Sequence, residues 1–308
     1  VAMRIVFMGS AALAVPSLQL LVQRAEHEVV GVITQPDRPA GRKRLLTPCP
    51  VKAVASSMNL TICTPEKISC DEMVEQIQDW QPDLMVVVAY GQYIPKRILS
   101  VAPHEAINVH PSLLPTYRGA APIQWALING DAQTGVSIIT VAEKMDAGEI
   151  LKQETLDIDE ADTAATLHDR CADLGARLLL ETIDDMASGS IASYAQDESK
   201  VVEVRKLNKA DGIIDWNQSA KMIHNRIRAF DPWPGSRCTL PSGEVLSVWK
   251  AVCVDGEGMP GEVLDDALTI AAAEGALRLL EVQLAGGKRM QADVFLRGKP
   301  LQKGAMFV

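Results

Sequence analysis

Three residues of this chain have the types and the order to work on a carbonyl carbon. Asn108 and His110 stand two apart in the run Ile107-Asn108-Val109-His110-Pro111-Ser112-Leu113-Leu114-Pro115. In a β-strand, alternate residues project to the same face. An asparagine amide donates hydrogen bonds without titrating, and an imidazole donates, accepts or shuttles a proton near neutral pH. The pair suits polarising a carbonyl and holding the oxyanion that forms when a nucleophile adds to it. Asp146, in Lys144-Met145-Asp146-Ala147-Gly148-Glu149, is the carboxylate that would orient His110 or relay its proton. Plainer roles fit the same residue types. A strand-end Asn and His can make structural hydrogen bonds, and an Asp before a Gly-containing turn commonly bonds its own backbone.

These residues need a frame that brings strand ends together. Residues 4–8 form a short apolar run ending at Gly9-Ser10, and Pro16 suits the first turn of a helix. Further apolar runs lie at 29–33, more weakly at 61–64, then at 84–88, 107–110 and 135–141. Helical patterns fall at 71–80 and 163–186. Strands alternating with helices predict an α/β domain with a Rossmann-like, mostly parallel sheet, whose ligands bind at the carboxyl ends of the strands. The first turn, Gly9-Ser10-Ala11-Ala12-Leu13-Ala14, is not the dinucleotide glycine fingerprint, and Thr34-Gln35-Pro36 stands where an acidic residue would end the second strand. A nicotinamide oxidoreductase is therefore disfavoured.

Residues 189–204 lack periodicity and predict a linker between a catalytic domain at 1–188 and a second domain at 205–308. The second domain opens with an amphipathic stretch at 217–230, ended by Pro232-Trp233-Pro234. Short apolar runs follow at 244–248, 261–263, 267–271 and 276–282, a spacing that suits a small antiparallel, OB-like β-barrel.

The 308 residues, 47% hydrophobic and 22% charged, can bury two cores, which excludes a disordered or fibrous chain. No apolar run reaches the roughly 18 residues of a membrane span, and no basic start leads into a secretory core. The six cysteines include no CxxC pair, which points to reduced thiols and a cytoplasmic setting. Val1 and Ala2 ahead of Met3 read as additions to a natural start. No His/Cys cluster suggests a metal, and no phosphate-binding glycine loop suggests ATP. The net charge is −9, with 16 Lys and Arg against 27 Asp and Glu before residue 205, and 14 against 12 from there on. That asymmetry suggests different tasks for the two halves. The loop at 35–48 concentrates Arg38, Arg42, Lys43 and Arg44 against Asp37, which fits either a phosphate backbone or a solvated surface.

Asn108-x-His110, Ser112-Leu113-Leu114-Pro115, Arg118-Gly119-Ala120-Ala121-Pro122 and Asp146-x-Gly148 resemble the formyltransferases that use 10-formyltetrahydrofolate. Thr34-Gln35-Pro36-Asp37-Arg38-Pro39-Ala40-Gly41-Arg42 and Arg226-Ile227-Arg228-Ala229-Phe230-Asp231-Pro232-Trp233-Pro234-Gly235 narrow the resemblance to the methionyl-tRNA formyltransferase family, over nearly the whole chain. The resemblance implies a catalytic trio of Asn108, His110 and Asp146. It implies a folate site at Ser112, Leu113, Leu114 and Pro115 with the strand end Ala89, Tyr90 and Gly91. It implies contacts to initiator methionyl-tRNA from Arg38, Arg42, Lys43 and Arg44, to which the basic residues Lys206, Arg226 and Arg228 are added as candidates. The donor is then 10-formyltetrahydrofolate, with no metal, no membrane and no stable protein partner, so a monomer is expected. One departure is Leu13, which stands where the family's first turn carries Phe. The nearest alternative is a formyltransferase of the same superfamily acting on a sugar nucleotide or a purine precursor; the basic loop and the added C-terminal domain weigh against it. An RNA-binding protein with an inactive α/β domain would have no need of the trio.

Overall fold

The computed structural model describes residues 2–24, 26–41 and 44–308. From β1 (Arg4–Gly9) the chain passes through α1 (Val15–Gln23), β2 (Glu28–Ile33), the hairpin strands β3 (Arg38–Ala40) and β4 (Leu45–Thr47), α2 (Pro50–Ser57), β5 (Ile62–Cys63), α3 (Asp71–Trp80), β6 (Leu84–Val88), α4 (Lys96–Leu99) and β7 (Ala106–His110). It continues through β8 (Thr116–Gly119), α5 (Pro122–Asn129), β9 (Gln133–Thr140), β10 (Ile150–Asp157), α6 (Ala164–Ser188) and β11 (Val202–Val204). Then come α7 (Ala220–Ala229), β12 (Ser236–Thr239), β13 (Val245–Val254), β14 (Thr269–Ala271), β15 (Ala276–Leu284), β16 (Met290–Gln291) and α8 (Ala292–Gly298). Two compact units result. The first takes residues 1–119, 134–157 and 168–203, the second 120–133, 158–167 and 204–308.

The first unit is built on a seven-stranded sheet of order β10-β9-β7-β6-β1-β2-β5. β6, β1, β2, β5 and β7 pair in parallel, and β9 runs antiparallel to β7. β6 lies in the interior of the sheet because Leu84, Met85, Val86, Val87 and Val88 have no polar side chain to solvate, and all five are buried. α3 starts with Asp71 and Glu72, whose charge complements the helix N-terminus, and it buries Met73, Ile77 and Trp80 at helical spacing. Those three join Val6, Met8, Ile33, Met85 and Ile98 in one core cluster.

The two faces of β7 are distinguished by what packs on them. Val109 meets Gly175 of α6, where a Cβ would sit only 2.9 Å from the valine methyl. Asn108 and His110, one residue either side, therefore turn to the opposite face. Their antiparallel neighbours on β9 are Ile139 and Ser137.

The stretch at 189–204, expected as a linker, follows an ordered course on the first unit. Tyr194 bridges Ile150, and β11 pairs with β8. Its order comes from partners distant in sequence, which local periodicity does not record. In the second unit the expected antiparallel strands are present as a sheet of order β12-β13-β15-β14, with β16 on β15. Residues 261–263, expected as a strand, make only isolated bridges from Glu262 to Met306 and from Val263 to Ile270. Trp216 meets Phe307 edge to face at 6.1 Å inside a cluster that includes Ile223, Ile227, Leu246 and Val282. α7 is capped by Ser219, whose hydroxyl accepts from the Met222 N–H.

The close packing of β2 against α3 makes a quantitative test. A Cβ at Gly31 would lie 2.5 Å from the Trp80 ring. Gly31→Ala is expected to cost about 1–3 kcal/mol by overpacking, and Gly31→Ala with Trp80→Leu to recover part of it. Urea unfolding of the three variants decides it; an unchanged midpoint for Gly31→Ala would remove this contact from the core.

Candidate active site

The imidazole of His110 is buried and held through Nε2. Nε2 lies 2.9 Å from the Tyr117 carbonyl. A carbonyl only accepts, so Nε2 carries a hydrogen. Nδ1 faces Asp146 Oδ1 at 3.6 Å, too long for a direct hydrogen bond. With Nε2 committed, Nδ1 is the ring nitrogen left towards the carboxylate. The structure brings His110 and Asp146 face to face, although β8 and β9 lie between the two residues in sequence.

Asp146 holds its place against a local preference. Its φ is 52°, in the left-handed region where a non-glycine residue is strained. Its Oδ2 accepts from the Gly119 N–H at 2.9 Å. Its carbonyl accepts from Gln196 Nε2 at 2.7 Å. Two residues on, Gly148 is backed against the Thr140 carbonyl, where a Cβ has no room. The turn is fixed from both sides, and the plain reading of Asp146 as a turn former bonding its own backbone is not what the structure shows.

Asn108 is half-buried on the same strand face as His110, and its amide makes no hydrogen bond among the described residues. Register places it beside Val87, so the segment leaving β6 through Ala89 and Gly91 runs past the carboxyl end of β7. Ala89 and Gly91 both take positive φ there, at 45° and 87°. Ser10 donates its hydroxyl to the Tyr90 carbonyl and accepts the Gln35 N–H, and Gln35 Nε2 also donates to that carbonyl. The unusual first turn therefore ties the ends of β1, β2 and β6 together. Tyr90 divides between backbone and ring. Its ring is 2% exposed, inside the core with Ile68, Ile94 and Ile98, and burial pushes the phenol above its ordinary pKa. Only its backbone belongs to the strand end.

The segment after His110 is tied down by polar contacts. Ser112 donates to the Thr116 carbonyl at 2.6 Å. Ser137, opposite His110 on β9, donates to the Ser112 carbonyl and accepts from the Leu114 N–H. Gln153 donates to the Leu114 carbonyl and to Ser137. Leu114 packs on Ile139 and Ile150. Ser112 and Leu114 thus hold the loop, while Leu113 and Pro115 remain half-exposed. Ser137, Gln153 and Gln196 were not anticipated from sequence, because a serine or glutamine inside a strand or an aperiodic stretch carries no signal of its own.

The basic residues separate by burial. Arg42 and Lys43 lie outside the described residues. Arg44 is exposed at the hairpin, whose β4 also presents Leu45 and Leu46 to solvent. Arg38 pairs with Glu66 at 3.1 Å. In the second unit Lys206 is exposed, and Arg226 is half-buried over the Phe230 ring with a bond to the Asp211 carbonyl. Arg228 is a correction. It is 9% exposed, and its guanidinium donates to the Asp159 carbonyl and the Asn225 side chain. Its two terminal nitrogens are spent on these acceptors, and Nε is buried without a partner, so the group does not face solvent as a phosphate contact would.

A buried imidazole facing a half-buried carboxylate, with an uncommitted amide on the same strand, suits chemistry at a carbonyl carbon. The formyl transferase family profile matches residues 3–183, and the profile of the formyl transferase C-terminal domain matches residues 206–300. Among curated proteins, the methionyl-tRNA formyltransferase of Citrifermentans bemidjiense is 41% identical over 307 residues, covering 99% of this chain and 96% of the relative. That of Methylobacillus flagellatus is 43% identical over 308 residues, covering 99% of each. The chain belongs to the methionyl-tRNA formyltransferase family. Solved structures give the fold more widely. HypX from Aquifex aeolicus in complex with tetrahydrofolic acid is similar at TM-score 0.66 and 20% identity, over 100% of this chain and 51% of that one. WlaRD, a sugar 3N-formyl transferase, is similar at TM-score 0.64 and 19% identity, over 94% and 98%. Likeness at that identity speaks for the fold alone. Among the described residues there is no metal-binding group, and no helix is long and apolar enough to cross a membrane.

The burial of Arg228 has a measurable consequence. Arg228→Ala is expected to lower stability by about 1–3 kcal/mol, since it leaves buried acceptors without their donor. The salt dependence of RNA binding should be unchanged. A normal melting temperature with a shallower salt slope would return Arg228 to the RNA-binding surface.

Proposed function

We propose that the chain transfers the formyl group of 10-formyltetrahydrofolate to the α-amino group of methionyl initiator tRNA, in the cytoplasm and as a monomer. The observation that carries this reading is 41–43% identity over nearly the full chain to proteins of that name, with Asn108, His110 and Asp146 all in place. Residues 1–188 form the catalytic part, and residues 189–204 join it to an OB-like part at 205–308 that helps hold the tRNA. The folate donor is held by the Ser112–Pro115 loop, where half-exposed Leu113 and Pro115 offer the apolar surface that suits a flat heterocycle, and by the backbone of Ala89, Tyr90 and Gly91. Arg44 and Lys206 are the exposed cations for phosphate, with Arg42 and Lys43 added from the sequence.

In this reaction the free amine attacks the formyl carbon, the new carbon–nitrogen bond forms, and the bond from that carbon to the folate nitrogen breaks. Asn108 donates its amide hydrogen to the oxygen that becomes negative. His110 has Nε2 committed to the Tyr117 carbonyl, so its role falls to Nδ1, which presents a proton to the same oxygen or passes it on. Asp146 balances the charge on the ring and receives the proton that the amine releases, and that proton ends on the folate nitrogen as it departs. Bringing two large substrates into register supplies much of the remaining acceleration.

Asn108→Ala, His110→Ala and Asp146→Asn are each expected to lower turnover by roughly two orders of magnitude, in line with loss of an oxyanion donor or a proton-transfer group. Each variant should still melt cooperatively, with His110→Ala the least stable because it removes a buried, hydrogen-bonded side chain. Single-turnover formylation of methionyl-tRNA measures the effect, and near-parent rates in any one variant would take that residue out of the mechanism.

A further inference from the structure

We propose that Gln196 is a positioning residue for formyl transfer, acting through Asp146; the proposal rests on the role given to Asp146 above. Gln196 lies in the stretch that sequence patterning assigns to a linker, yet it is buried, and its side-chain amide is fully used. Nε2 donates one hydrogen to the Asp146 carbonyl and one to the Gly148 carbonyl, both at 2.7 Å. Oε1 accepts from Arg118 Nε at 2.9 Å. The orientation is chemically forced, because a guanidinium only donates and a backbone carbonyl only accepts. Arg118 is 1% exposed, and its remaining nitrogens reach Glu198 at 2.7 and 3.4 Å. Residues 196 and 198 therefore close a polar cluster around the turn that carries Asp146.

The cluster does a specific task. Asp146 sits at φ 52°. A non-glycine residue in that region costs on the order of 1–3 kcal/mol and persists only where its surroundings hold it. Gly119 fixes the carboxylate through Oδ2, and Gln196 fixes the carbonyl at the other end of the same residue. With both ends held, Oδ1 is left facing His110 Nδ1. Without the two N–H donors of Gln196, two carbonyls lose their partners and the turn can relax towards ordinary φ, carrying the carboxylate away from the imidazole. Gln196 bonds backbone and Arg118 and does not itself face the reacting atoms, so its effect belongs in the chemical step and not in substrate binding.

Two variants of the full chain test this. Gln196→Glu keeps an acceptor towards Arg118, loses both donors and sets an oxygen against two carbonyls. Gln196→Met keeps the volume with no polar group, and stands in if the glutamate variant melts early. Each is expected to lower kcat at least about tenfold, as misplacement of a catalytic group does. KM for both substrates and Kd for the folate donor should stay within about twofold, because no binding group is removed. In the Asp146→Asn background, adding Gln196→Glu should lower kcat by no more than about twofold, since the group it positions is already gone. Parent-level kcat in both glutamine variants overturns the proposal. So does a KM that rises as far as kcat falls, or a double variant whose losses multiply. Normal turnover in Asp146→Asn alone removes the role of Asp146 and this proposal with it, whereas loss in Asp146→Asn with none at Gln196 removes this proposal only.

Discussion

A carboxylate at the end of a strand is useful to an imidazole only if its backbone cannot turn away. Asp146 meets that condition at φ 52°, a conformation it would leave if released. Gly119 and Gln196 hold its two ends, Gly148 leaves no slack behind it, and His110 is pinned opposite by the Tyr117 carbonyl. The sheet sets β7 and β9 side by side but antiparallel, with Thr140 opposite Ile107, so the segment after β9 must turn back to reach His110. The fine placement comes from the loops, where Gly119 and Gln196 reach Asp146 from far away in sequence. Such preorganisation is what makes an electrostatic site effective, because no reorganisation is needed when charge develops.

The same economy of partners explains which cations are available for RNA. An arginine buried with a carbonyl and an asparagine, as Arg228 is, works as a structural clamp; so does Arg118 with Gln196 and Glu198. Arg38 is exposed but already faces Glu66. Arg44 and Lys206 keep their charge towards solvent, and Leu45 and Leu46 give the basic hairpin an apolar edge that its composition alone does not advertise. An unpaired nucleic-acid end offers both phosphate and base faces, and a surface with both kinds of side chain can meet them.

The sequence carried the sheet well because buried strands are written as local apolar runs. Leu84–Val88 and Asp71–Trp80 match the expectation from pattern alone. It also carried the face shared by Asn108 and His110, since strand alternation is local. It could not carry Gln196, whose stretch has no period and whose side chain is of no reactive type. It misplaced Arg228, because charge says what a side chain can do and only packing says which way it points. The grouping of residues 120–133 and 158–167 with the C-terminal unit was equally out of reach, because α5 meets α7 from across the chain.

The account centres on the acceptor as much as on the chemistry, since sugar and purine formyltransferases share this fold. The direct measurement is transfer of a labelled formyl group from 10-formyltetrahydrofolate to three acceptors offered in parallel: methionyl initiator tRNA, a nucleotide-linked amino sugar and glycinamide ribonucleotide. Saturable label on the methionyl-tRNA alone, released with N-formylmethionine on mild alkaline hydrolysis, is the expected result. Label on either small acceptor with none on the tRNA would contradict it.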